Sequence, residues 1–132
     1  MTRELILVVE DNEANQMLAR AVLELEGFEV RIASDAVEAR EHLREATPSL
    51  ILMDIQLPGQ DGLSFTRELR DDPATASIPV VALTAHAMTG DKGTAIRAGC
   101  AGYIAKPIDM PSIGAQVRMF ITRHTGAMQG AV

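Results

Sequence analysis

Short runs of apolar residues alternate along the chain with longer stretches in which apolar residues recur at helical spacing. The apolar runs are mostly rich in Val, Ile and Leu, which is typical of buried β-strands. In the first longer stretch, Leu18, Val22 and Leu25 fall on one face of a helix, and Gly27 follows as a stop signal. The pattern predicts strands at residues 5–9, 29–33, 50–53, 80–83 and 102–105, and helices at residues 15–26, 37–46, 63–70, 91–98 and 111–123.

This alternation of strands and helices is typical of one architecture. Five strands separated by helices predict an α/β fold with a parallel sheet and right-handed crossovers. The 132 residues fit one domain, and the 47% hydrophobic content is sufficient for one core. We therefore expect a single domain over residues 1–124, followed by a disordered tail over residues 125–132. The initial Met and the short tail favour a complete protein over a fragment.

The charge distribution argues against several classes of partner. The net charge is -6 and the Lys and Arg residues form no cluster, so direct binding to DNA or RNA is not expected. The apolar stretch near the start is too short for a signal peptide or a membrane span. The lone Cys100 cannot form an internal disulfide. These features predict a cytoplasmic protein without membrane contact.

Polar residues follow the predicted strands at the points where the strands end. Glu10 and Asp11 follow the first strand, Asp54 the third and Lys106 the fifth. The flavodoxin-like sheet order 2-1-3-4-5, one of two common orders for such a chain, makes the first and third strands neighbours. The three carboxylates and the ammonium then converge at one edge of the sheet, where Thr84 arrives from the fourth strand. Such a set of groups suits a divalent metal and a phosphoryl group.

Four sequence motifs occur in order around the ends of these strands: ILVVEDN (residues 6–12), MDIQLPGQDG (residues 53–62), LTA (residues 83–85) and YIAKP (residues 103–107). In this combination the chain resembles the CheY-like receiver domains of two-component response regulators, over about residues 4–123. It is most similar to stand-alone DivK-like receivers and to the receivers of hybrid histidine kinases. The resemblance implies a doubly wound, five-stranded flavodoxin-like sheet of order 2-1-3-4-5 with five helices.

The resemblance also implies roles for the residues at the sheet edge. Asp54 would accept a phosphoryl group from a partner's phosphohistidine, forming an aspartyl phosphate. Lys106 would neutralise one phosphoryl oxygen, and Thr84 would donate a hydrogen bond to another. Tyr103 would be the switch residue that turns inward when Thr84 is drawn toward the phosphate.

A divalent cation is the cofactor that the resemblance implies. Asp11 and Asp54 would be direct ligands, the backbone carbonyl of Gln56 would add a third oxygen, and Glu10 would act mostly through a coordinated water. Ligation by oxygen alone fits Mg²⁺ or Mn²⁺ and argues against zinc. The cation would also offset the mutual repulsion of the clustered carboxylates, which would otherwise raise at least one pKa.

These expectations together predict a phosphorylation-controlled switch. Its partners would be a histidine kinase or a histidine phosphotransfer protein, and a downstream protein target. The chain would act as a monomer and would promote its own phosphorylation and dephosphorylation without being a turnover enzyme. Two alternatives with the same fold stay open: an adaptor that is never phosphorylated, and the receiver part of a hybrid histidine kinase.

Three other classes of protein fit the residues less well. A flavodoxin-type cofactor binder needs a phosphate-binding loop after the first strand, where Glu10 and Asp11 would repel a phosphate. A phosphatase of the haloacid dehalogenase type carries a second acid two residues after its nucleophile, and position 56 is Gln. Nucleotide hydrolysis needs a glycine-rich phosphate-binding motif that the sequence lacks.

Overall fold

The computed structural model describes residues 4–84, 91–106 and 109–130. Strands and helices alternate through this part of the chain, as the sequence pattern predicts. The strands are β1 (Leu5–Val9), β2 (Glu29–Ala33), β3 (Leu50–Asp54), β4 (Val80–Thr84) and β5 (Gly102–Ala105). The helices are α1 (Glu13–Leu25), α2 (Ala36–Glu45), α3 (Gly62–Asp71), α4 (Asp91–Ala98) and α5 (Met110–Gly130).

The strands form one parallel sheet in the order β2-β1-β3-β4-β5, which confirms the predicted order. β1 and β3 are neighbours, so the segments that follow them emerge side by side. Across the next two pairs of strands, Asp54 lies opposite Leu83, and Thr84 lies opposite Ala105. The strand ends are therefore level at one edge of the sheet, which is the edge where ligands bind in folds of this class.

Helices cover both faces of the sheet, which explains why the central strands β1, β3 and β4 read as nearly continuous apolar runs. In β1, Leu7 belongs to the core on the face of α2 and α3, and Ile6 belongs to the core on the face of α1 and α5. Phe65 of α3 and Val117 of α5 are fully buried in these two layers. Burial of such a side chain stabilises the fold by roughly 1.5–3 kcal/mol relative to an exposed position. The two apolar layers hold the sheet edge in a fixed position.

Three helices begin at residues that cap them directly after the loops at the sheet edge. The side chains of Asn12, Asp35 and Asp61 each accept a hydrogen bond from the backbone N–H three residues later, at 2.8 to 3.0 Å. A cap of this kind contributes about 1 kcal/mol. α1 begins at Glu13 and not at residue 15 as predicted, because Asn12 caps a first turn whose residues 13 and 14 are exposed and therefore give no hydrophobic signal.

The last helix extends beyond its predicted end at residue 123. α5 is Met110–Gly130, so residues 125–130, which were predicted as part of a disordered tail, are helical. The domain boundary at residue 124 stays a prediction. Within the described residues, no helix has both the length and the hydropathy needed to cross a membrane.

Candidate functional site

Three carboxylates meet at the edge of the sheet where β1 and β3 end side by side. Glu10 and Asp11 occupy the first two positions after β1, and Asp54 is the last residue of β3. The three side chains each contribute an oxygen, and these oxygens lie within 4.8 Å of one another. Glu10 and Asp54 are buried, with 1% and 3% of their surface exposed, whereas Asp11 is exposed. The acidic cluster is therefore open to solvent on the side of Asp11.

Lys106 supplies positive charge at this cluster. Its Nζ lies 2.8 Å from Glu10 Oε2 and donates a hydrogen bond to Asp54 Oδ2 at 3.0 Å. Burial alone would lower the pKa of Lys106, but the contacts with Glu10 and Asp54 outweigh burial and raise that pKa. Burial is the main reason that the pKa of Glu10 is raised; Lys106 opposes this effect, and the charge of Asp54 adds to it. Lys106 is therefore protonated and bridges the two buried carboxylates.

The start of α1 holds Glu10 in place. Glu10 Oε1 accepts hydrogen bonds from the backbone N–H of Asn12 at 3.2 Å and from Asn15 Nδ2 at 3.4 Å. Gln16 Nε2 donates to the backbone carbonyl of Glu10 at 2.5 Å and to Ser34 Oγ at 3.2 Å. The contacts of Asn15 and Gln16 with Glu10 were not predicted. The sequence did offer one signal for these contacts, because Asn12 is a typical helix-capping residue. Side chains three and four positions after a cap lie on the first helical turn, close to the residues that precede the helix.

The loop between β3 and α3 (residues 55–61) forms the surroundings of Asp54. Asp54 Oδ1 accepts a hydrogen bond from the backbone N–H of Gln56 at 2.9 Å. Gly62, the first residue of α3, lies so close that a Cβ added there would be 2.2 Å from the backbone oxygen of Asp54. The Gly62 N–H also donates to the carbonyl of Ile55 at 3.2 Å. The lack of a side chain at position 62 therefore allows the loop to close directly beside Asp54.

The remaining predicted residues lie on β4 and β5. Thr84 is buried at the end of β4, one residue beyond the position opposite Asp54, so it belongs to the same edge as the carboxylates. Tyr103 is half-buried on β5 and packs against the core on the face of α2 and α3. It lies deeper along the sheet than Lys106, which follows β5. The roles of Thr84 and Tyr103 stay predictions.

The oxygen atoms of the cluster suit a hard divalent cation. Carboxylates from Glu10, Asp11 and Asp54 form an all-oxygen set, the kind that Mg²⁺ and Mn²⁺ prefer. Glu10 Oε2 is buried and forms an ion pair with Lys106, but it makes no hydrogen bond of good geometry within the described residues. A buried oxygen with free lone pairs can accept a hydrogen bond from a metal-bound water. The residues present therefore fit an Mg²⁺ site.

The sheet order 2-1-3-4-5, with clustered carboxylates and a lysine at the carboxyl edge, is the arrangement that the resemblance to receiver domains implies. The chain belongs to the response regulator receiver domain family, whose model matches residues 6–118, and this membership makes it a phosphoacceptor switch rather than a turnover enzyme. Membership confirms the resemblance that the four motifs indicated. It assigns the acidic pocket of Glu10, Asp11 and Asp54 to aspartyl phosphorylation in two-component signalling.

Individual relatives and solved structures agree with this family. The polar-differentiation response regulator DivK of Brucella anthropi is 42% identical over 116 residues, which are 88% of this chain and 94% of that protein. A receiver domain of a sensor histidine kinase from Pseudomonas aeruginosa PAO1, crystallised with a magnesium ion coordinated in the active site cleft, is 35% identical with a TM-score of 0.80. That comparison covers 95% of this chain and 99% of the other. The receiver domain of NtrX from Brucella abortus is 30% identical with a TM-score of 0.81, covering 89% and 98%.

Proposed function

We propose that Asp54 accepts a phosphoryl group from the phosphohistidine of a histidine kinase or of a histidine phosphotransfer protein. The observation that carries the proposal is the 3.0 Å contact between Asp54 Oδ2 and Lys106 Nζ inside an acidic cluster that solvent can reach at Asp11. A carboxylate and a lysine in contact offer a nucleophile and a counter-charge for the incoming phosphoryl oxygens. Membership of the receiver family supports a histidine kinase as the partner.

Each residue of the site has a separate part in this transfer. A carboxylate oxygen of Asp54 bonds to phosphorus, the bond from phosphorus to the imidazole nitrogen breaks, and that nitrogen is protonated from solvent. Lys106 then pairs with a phosphoryl oxygen in addition to its present contacts with the carboxylates. By the family resemblance, the Thr84 hydroxyl donates a hydrogen bond to another phosphoryl oxygen, and Tyr103 turns inward as Thr84 moves.

The proposed cofactor is Mg²⁺, and Mn²⁺ can replace it. Asp11 and Asp54 would be direct ligands, Gln56 would contribute its backbone carbonyl, and Glu10 would act through a coordinated water. When bound, the cation offsets the negative charge of the carboxylates and of the phosphoryl oxygens. The magnesium ion in the Pseudomonas aeruginosa receiver supports this assignment.

The proposed output is contact with a downstream protein target. Phosphorylation would bias an equilibrium between inactive and active states through Thr84 and Tyr103, because a bound group shifts states only by differential interaction. A monomer in the cytoplasm is the form that fits this role. Similarity to DivK of Brucella anthropi supports a part in polar differentiation, the process for which that relative is named.

Intact-mass spectrometry after incubation with acetyl phosphate tests the proposal. With Mg²⁺, the wild-type protein is expected to gain one phosphoryl group and Asp54→Asn to gain none. Asp61→Asn is the matched control, because it removes one charge from the same loop while Asn can still cap α3. This control is expected to behave as the wild type does, and chelation of Mg²⁺ should abolish the adduct in both.

Two outcomes would contradict the proposal. Phosphorylation of Asp54→Asn at the wild-type level would place the acceptor elsewhere. Absence of an adduct in the wild type, combined with no binding of beryllofluoride as a stable phosphoryl mimic, would favour an adaptor of the same fold that is never phosphorylated.

A further inference from the structure

Arg40 of α2 connects segments that are distant in the sequence. Its Nε and Nη2 donate hydrogen bonds to the two carboxylate oxygens of Glu68 in α3, both at 2.7 Å. Nη2 also donates to the side-chain oxygen of Gln60, which lies in the loop between β3 and α3. The guanidinium lies over the ring of Phe65, 5.1 Å from its centroid. Because the guanidinium is planar, these contacts together fix its orientation.

Gln60 is also bonded on its other side. Its Nε2 donates to Ser64 Oγ at 3.2 Å and to Glu68 Oε1 at 3.3 Å. Each of the side chains of Arg40, Gln60 and Glu68 is therefore bonded to the other two, and we call these three residues the Arg40 clamp. The clamp joins the loop to α2 and α3 at once.

The path of the second half of the loop depends on side-chain contacts such as those of Gln60. In the first half, Leu57 is buried and the Gln56 N–H donates a hydrogen bond to Asp54 Oδ1. The second half is more exposed and includes Gly59, whose φ is +76°. Since a glycine restricts its own backbone little, contacts further along must set the path of the loop. The next residue is Gln60, a member of the Arg40 clamp.

We propose that Arg40 is a positioning residue of the phosphoacceptor site, acting through Gln60 on the loop between β3 and α3. The inference rests on the proposed function, because this loop carries Gln56, the proposed backbone ligand of the cation. The Gln56 N–H also holds Asp54 Oδ1 at 2.9 Å. A loop that moves would displace the ligand and release the phosphoacceptor from the same hydrogen bond.

The exposure of the clamp indicates that it contributes orientation more than stability. The side chains of Arg40 and Glu68 are 34% and 42% exposed. Ion pairs at this level of exposure add little to the free energy of folding, because water and salt screen them. The paired hydrogen bonds nevertheless set direction, which is what a positioning residue requires. Breaking the clamp should therefore weaken cation binding more than it weakens the fold.

The variant Arg40→Met tests the proposal, since methionine keeps apolar contact with Phe65 and loses the hydrogen-bond donors. Arg31→Met is the matched control, because it breaks a 2.8 Å ion pair with Glu45 in which the arginine side chain is 33% exposed. That pair joins β2 to α2 and includes no residue of the loop. The measurements are Mg²⁺ affinity by calorimetry, hydrogen exchange of the Gln56 amide in the metal-free protein, and urea unfolding.

Arg40→Met is expected to weaken Mg²⁺ binding by about 3- to 10-fold, at or below the lower end of the effects of outer-shell partners on metal affinity. Exchange of the Gln56 amide should accelerate by a similar factor, because the loop opens more often. Arg31→Met should change neither quantity by more than about twofold. Gln60→Ala should reproduce the loss, and Arg40→Met should add nothing in that background.

Two results would overturn the proposal. One is that Arg40→Met and Arg31→Met show the same Mg²⁺ affinity and the same Gln56 exchange, whatever urea unfolding shows. The other is that Arg40→Met causes its full loss in the Gln60→Ala background, since Arg40 would then act by another route. If the wild type binds no Mg²⁺, the proposed function fails, and the Gln56 exchange rates alone decide whether Arg40 positions the loop.

Discussion

Lys106 offsets only part of the negative charge of the carboxylates at the edge of the sheet. Glu10 and Asp54 are buried, and each lies within ion-pair distance of Lys106. Asp11 belongs to the same cluster and is exposed. Three carboxylates beside one ammonium leave an excess of negative charge, and mutual repulsion follows from it. We therefore expect the metal-free protein to be less stable than the same fold with one charge removed.

Asp11→Asn is expected to stabilise the metal-free protein and to remove most of the stabilisation by Mg²⁺. The loss of one charge should raise the melting temperature by about 4 °C, which corresponds to roughly 1 kcal/mol at this chain length. Thermal unfolding by circular dichroism, first with a chelator and then with Mg²⁺, provides the measurement. Glu24→Gln on the exposed side of α1 controls for net charge. A melting temperature below that of the wild type for Asp11→Asn in the chelator would contradict the expected repulsion among the carboxylates.

The charged residues of the site were predictable from the sequence, and the residues that support them were not. The three carboxylates and the lysine directly follow apolar runs, so their place at the sheet edge follows from the strand ends. Arg40 contacts Gln60 and Glu68 across 20 and 28 positions of the chain. Hydrophobic periodicity carries no information about such contacts, because all three side chains are partly exposed and polar.

At the scale of elements, the connection from β3 to α3 determines how closely the start of α3 approaches Asp54. α3 begins with Gly62 against the backbone at the end of β3, and Asp61 caps the helix from the residue before. All five strands were predicted to within one residue, and in the central strands β1, β3 and β4 burial on both faces gives a nearly unbroken apolar run. The close approach at Gly62 could not be predicted in this way, since it depends on the packing of a helix end against a strand.

Gly62→Ala is expected to destabilise the protein by about 3 kcal/mol, at the upper end of the usual cost of overpacking. The added Cβ would lie 2.2 Å from the Asp54 oxygen and 2.8 Å from the Ile55 Cα, and both are backbone atoms. Urea unfolding gives the free energy of unfolding.

Gly93→Ala in α4 is the control for this substitution, because its Cβ would meet the flexible end of Arg97 at 3.5 Å. Replacing a glycine by alanine inside a helix should raise the free energy of unfolding by roughly 0.5–1 kcal/mol. A Gly62→Ala variant at least as stable as Gly93→Ala would show that the helix end can move away from β3 without cost.

At the scale of the whole molecule, the sheet order brings residues from separate strands into one site. The order was predictable, because strict alternation of strands and helices permits few arrangements and the motifs matched one of them. Right-handed crossovers in this order also place α2 and α3 on the same face, but the hydrophobic pattern does not specify that Arg40 and Glu68 meet between them. The Arg40–Glu68 ion pair between these helices should stabilise the protein at neutral pH and lose this effect in acid.

The pKa of Glu68 is lowered mainly by the hydrogen bond from Arg40, and Gln60 adds to the effect. Because the folded pKa lies below the usual value of 4.5, Glu68 contributes stability that is present above pH 4.5 and is lost as the pH falls through the folded pKa. With 42% of the side chain exposed, this contribution is at most about 1 kcal/mol. Urea unfolding of the wild type and Glu68→Gln, from neutral pH into the acid range, measures it.

The difference in stability between the wild type and Glu68→Gln should be constant above pH 4.5 and should shrink below it. In the Arg40→Met background, the same comparison should show a much smaller change with pH, because the hydrogen bond that lowers the pKa is gone. If the change with pH is equally large in both backgrounds, Arg40 is not the group that lowers the pKa of Glu68. The ion pair between α2 and α3 would then have no part in the loss of stability in acid.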